Sequence, residues 1–141
     1  MNTAGLSEPV AVDVVPTSFG IFKPVGWVMV GVPTPAQADA LVLALSGDNS
    51  PSTSVRHFTP SETEAELRAM SEQADQAGSL AGFGYEITLL RRYVALTQQG
   101  YRWLLVKVDG IEQAAIVAGI AQTCGATLAV HYRMLTVEDL I

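Results

Sequence analysis

Residues 101–108 read Tyr-Arg-Trp-Leu-Leu-Val-Lys-Val (YRWLLVKV), and residues 25–32 read VGWVMVGV. Both runs are rich in β-branched and aromatic residues. The first starts after Gly100 and ends at Asp109-Gly110; the second is bracketed by Pro24 and Pro33. The run 25–32 predicts a strand covered on both faces, and the run 101–108 is the clearest strand in the chain. Neither approaches the roughly 20 residues a bilayer-spanning helix requires, so no membrane span is expected.

Each strand is followed by a helix signal and then by a second strand. After the earlier one, Thr34, Pro35 and Gln37 form a capped helix start, the run 38–45 continues it, and Gly47 stops it. The short alternating run 53–58, with Arg56 and His57 near its end, then reads as an edge strand. After the later one, residues 110–124 form a small-residue helix closed by Gly125, and residues 126–133 (ATLAVHYR) return as the last strand. Residues 135–141 read as a short tail.

Two further helices separate these units. Thr59, Pro60 and Glu62 repeat the capping pattern ahead of a charged segment with one apolar stripe, Leu67, Met70 and Ala74. Gly78, Gly82 and Gly84 interrupt the chain before a helix over 85–98, whose apolar arc is wide enough to touch two neighbours, and Gly100 ends it. Two βαβ units joined by a helical insertion predict an α+β, ferredoxin-like split βαβ sandwich with a two-helix insertion between strands two and three. A small flavodoxin-like α/β sheet is the alternative. Residues 1–24, broken by Pro9, Pro16, Gly20 and Pro24, form an N-terminal arm, and residues 25–141 a single domain.

Strand alternation assigns two faces. Val28, Val30 and Val32 fall with Leu104, Val106 and Val108 under the βαβ helices, while Trp27, Met29, Trp103 and Leu105 occupy the other side, flanked by Thr127, Ala129 and His131. Two indoles and two aliphatic chains make a patch too large to leave in water. The inserted helices, the arm or a second copy of the chain must cover it.

From Leu104 through Arg133, the pattern LLVKVDG, a small-residue helix and CGATLAVHYR resembles the small bacterial general-stress-protein domains. The resemblance spans about thirty residues and implies ferredoxin-like halves. It brings no catalytic residues, and Glu86, Arg91 and Arg92 depart from the plainer glycine-rich insertion of that family.

Bulk properties narrow the function. The 141 residues suit one domain, and 14 acidic against 8 basic residues give a net charge of -6, which repels phosphate backbones and excludes nucleic acid as the expected partner. The first fifteen residues hold Glu8 and Asp13 but no Lys or Arg, unlike a signal peptide, so a cytoplasmic location is expected. The lone Cys124 reads as a small core residue.

No catalytic residue, metal site or cofactor is assigned. His57 and His131, the only imidazoles, fall on opposite sheet edges, roughly 14 Å apart across three strand spacings, too far to share an ion. No Ser, Thr or Cys stands in a nucleophile signature with either. The candidate ligand residues are Trp27, Met29 and Trp103 on the apolar face, with Arg56, Arg91 and His131 as polar contacts. Gly82, Gly84 and Tyr85 form a second group, at a helix start able to hold an anion. Arg91 has Glu86 or Glu138 as candidate salt-bridge partners.

The expectation is a non-enzymatic cytoplasmic module that forms a homodimer through the Trp27/Trp103 face or the 85–98 helix. The alternative is a small-molecule binder or cofactor-dependent enzyme of the dimeric α+β barrel type, with a pocket on that face for a small apolar or anionic ligand.

Overall fold

A computed structural model describes residues 17–18, 21–22, 24–46, 54–76, 84–134 and 136–141. Its elements are β1 (Thr17–Ser18), β2 (Ile21–Phe22), β3 (Trp27–Val32), α1 (Pro35–Ala44), β4 (Val55–His57), α2 (Pro60–Gln76), α3 (Gly84–Gln98), β5 (Arg102–Lys107), α4 (Ile111–Thr123), β6 (Leu128–Tyr132) and β7 (Val137–Asp139). Helix starts follow the capping logic closely. The Thr34 hydroxyl accepts from the Gln37 amide at 3.2 Å and donates to the Gln37 side chain at 3.0 Å. At α2 the exchange is reciprocal: Glu62 N–H donates to Thr59 Oγ1 at 3.2 Å, and Thr59 N–H donates to Glu62 Oε1 at 2.9 Å.

The main sheet has the order β4-β5-β3-β6-β7, and every neighbouring pair is antiparallel. β3 and β5, the two runs that decide the fold, lie inside it as expected, and the architecture is α+β, compatible with a ferredoxin-like fold. Antiparallel pairing throughout removes the flavodoxin-like alternative, whose sheet is parallel. Within the N-terminal arm, β1 pairs antiparallel with β2, and β2 touches both α2 and α3.

Helices cover both faces of the sheet. α1 and α4 lie on one, where Leu41, Ala38, Ala114, Val117 and Ala121 close over Val28, Val30, Leu104 and Val106. α2 and α3 lie on the other, where Leu67, Leu89, Leu90 and Tyr93 close over Met29, Trp103 and Leu105. The inserted helices are therefore the cover of the tryptophan face.

Two expectations are corrected. The 135–141 tail contains a fifth strand, β7, bound to β6 through the register His131↔Glu138. Facing on β6 is also the reverse of that expected: Leu128, Val130 and Tyr132 join Trp103, while Ala129 and His131 share the valine face. Directly opposed residues of an antiparallel pair project to one side, and the register sets Val28 opposite His131 and Val30 opposite Ala129. Thr127 precedes the strand and is exposed, its hydroxyl 2.7 Å from that of Tyr101.

Candidate functional site

Of the two tryptophans singled out in the sequence, Trp103 lies within one core layer and Trp27 packs against its margin. Trp103 is fully buried, and its indole N–H donates to Thr97 Oγ1 at 2.7 Å, which in turn donates to the Tyr93 carbonyl at 2.7 Å. The Tyr93 ring lies 4.9 Å from the Trp103 ring with a tilt of 58°. The phenolic hydroxyls of Tyr93 and Tyr132 are 2.6 Å apart. Hydrogen bonding satisfies the polar atoms that such large rings carry into the interior. Met29 and Leu105 are buried in the same layer, and Trp27 is half-buried beneath the Lys107 ammonium, 5.5 Å from its ring centre. The face expected to hold a ligand is thus filled by the chain's own α2 and α3 side chains.

Of the polar candidates, Arg56 borders this layer, opposite Leu105 in the register, whereas His131 lies on the other face. Arg56 on β4 stacks over Phe58 at 4.6 Å. Arg91 projects from the exposed side of α3, and Glu138, one partner considered for it, lies on β7, 3.7 Å from Arg133. Gly84 and Tyr85 form the first turn of α3, and Gly82 lies outside the described residues. His131 is on the valine face, 4.0 Å from Glu138 through Nδ1, with both facing atoms buried and without a hydrogen-bond partner. Burial pushes the imidazole pKa down; the Glu138 carboxylate opposes this and Arg133 reinforces it. Among the described residues no three His, Cys, Asp or Glu side chains stand together as metal ligands.

Two surfaces were not legible beforehand. α1 and α4 pack side by side, and their outward sides are nearly as apolar as their inward ones. Leu43 is 77% exposed, and Ile111 and Ile116 are each 55% exposed. Asp39 and Glu112 are the only charged residues in either helix. The other surface is a groove of about 160 Å³ between α2 and α3, floored by Leu67 and Val94 and edged by Glu64, Arg68, Glu72, Thr97 and Gln98. A clue to the first was available in the sequence: neither PAQADALVLA nor IEQAAIVAGIAQT has a polar face.

Comparison with protein-family models, curated proteins and solved structures gives no match. No helix among the described residues is long and apolar enough to cross a membrane.

Proposed function

We propose that this chain is a non-enzymatic cytoplasmic module that self-associates as a homodimer, with the outer layer of α1 and α4 as its contact surface. The observation that carries this reading is the apolar character of both helices on the side that faces water. A helix apolar all round is normally covered on all sides, and these exposed Leu and Ile side chains each forgo part of the roughly 1.5–3 kcal/mol that full burial provides.

Charge favours a second copy as the cover. In a two-fold contact each patch meets itself, so like charges are brought together. On a chain of net charge -6 most surfaces would repel their own copy. α2 alone carries Glu62, Glu64, Glu66, Glu72 and Asp75 against Arg68. The α1/α4 layer, with one carboxylate per helix, is the surface best suited to face itself. The single cysteine supports the cytoplasmic assignment, since small secreted domains commonly rely on disulfides, and the resemblance over residues 104–133 supports a stress-related setting.

Light scattering across a range of concentrations tests the proposal. The expected result is a dimer mass that reverts to monomer in both Leu43→Glu and Ile116→Glu, with unchanged circular dichroism because both sites are exposed. A wild-type chain that stays monomeric at high concentration, or a dimer indifferent to both substitutions, overturns it.

A further inference from the structure

We propose that the groove between α2 and α3 binds a small organic cation: an ammonium group carried on an apolar body the size of one ring or a short alkyl chain. The groove lies on the opposite side of the sheet from the α1/α4 layer, so the proposal stands independently of self-association.

Size sets the first limit. The cavity of about 160 Å³ is close to the roughly 150 Å³ that accommodates benzene in an apolar protein interior. Its floor, Leu67 and Val94, offers hydrocarbon to such a body.

Charge sets the second. Glu64, Arg68 and Glu72 succeed one another at one-turn spacing along α2, so all three line the same edge of the groove. Arg68 is engaged by Glu64 at 3.7 Å, whereas Glu72 meets no partner among the described residues. Among the described residues, the α3 edge supplies Val94, Thr97 and Gln98 and no cation. One uncompensated carboxylate beside an apolar floor selects an ammonium over a neutral or anionic guest of equal shape. Thr97 is held at both ends, accepting from the Trp103 indole and donating to Tyr93, which couples the groove wall to a buried tryptophan.

Benzylammonium is the probe, with benzyl alcohol and benzoate as the neutral and anionic controls, followed by chemical shifts of the Thr97 amide and the Trp103 indole N–H. Saturable binding with a dissociation constant on the order of 1 mM is expected, in keeping with about eight heavy atoms. Benzyl alcohol and the Glu72→Gln variant should each bind more weakly by about two- to five-fold, the range for a solvent-accessible ion pair. Val94→Trp should fill the floor and abolish binding. No saturable shift at either position up to tens of millimolar, equal affinity for the alcohol, or preference for benzoate overturns the proposal. Glu72 is exposed, so its substitution leaves the fold intact and the charge test readable.

Discussion

The indole of Trp103 lies across the backbone of Gly31, its partner in the β3–β5 register, so closely that a Cβ placed at Gly31 would fall 2.6 Å from the ring. Gly31 is therefore not a weakness in a strand but the space the tryptophan occupies. Gly31→Ala should cost about 1–3 kcal/mol as an overpacked site, read as a lower denaturant midpoint with unchanged slope. Trp103→Phe made in the Gly31→Ala background should cost less than it does alone, because the smaller ring relieves the clash. Additive losses would mean that the indole moves aside without strain.

Thr97 is expected to matter for a different reason. Thr97→Val keeps the shape but leaves the buried Trp103 N–H without its acceptor, a loss of about 1–3 kcal/mol. Thermal unfolding of Thr97→Val beside Thr97→Ser, which retains the hydroxyl, separates the hydrogen bond from packing. Equal losses in the two would assign the effect to the missing or altered methyl.

His131 should make the protein acid-sensitive. Its pKa is lowered in the folded state, chiefly by burial, so folding favours the neutral imidazole. That stability is complete above the ordinary histidine value of about 6.5 and is lost as pH falls through the folded pKa. Urea unfolding at a series of pH values should show weakening below neutrality that is reduced in His131→Gln. Stability that rises on acidification would show instead that the Glu138 carboxylate, 4.0 Å away, outweighs burial.

The α2 cap titrates at lower pH. The Thr59 amide holds the Glu62 carboxyl below the ordinary glutamate range; slight burial opposes it, and the Thr59 side chain, Arg56 and His57 assist. The contribution is present above about 4.3, the ordinary value, and disappears as pH falls through the lowered one. Thr59→Ala should destabilise by about 1 kcal/mol at neutral pH. Glu62→Gln should flatten the acid limb of the stability curve without altering the His131 limb.

The elements that local chemistry specifies were legible in the sequence. Thr34, Thr59, Gly100 and Gly125 mark helix ends through hydroxyl caps or a positive φ of 100° and 97° at the two glycines, and these signals act within a few residues. Facing on β6 was not, because Leu128, Ala129, Val130, His131 and Tyr132 are all buried, so alternation carries no contrast and only the register with β3 decides. β7 escaped because Val-Glu-Asp has no strand pattern of its own and is held by pairing to β6. The groove escaped for a similar reason: Leu67 and Val94 belong to separate helices, and their approach depends on how α2 and α3 pack.

The two borders of the sheet also limit how this chain can assemble. β4 and β7 are each three residues long, and they carry Arg56 and His57 at one margin and Glu138 and Asp139 at the other. Short, ionisable margins discourage an incoming strand from adding main-chain hydrogen bonds. Growth by end-on sheet continuation, the route to open-ended fibrils, is thereby disfavoured at both ends. Any association is directed to side-chain surfaces, where a two-fold contact closes on itself and stops at a finite number of copies.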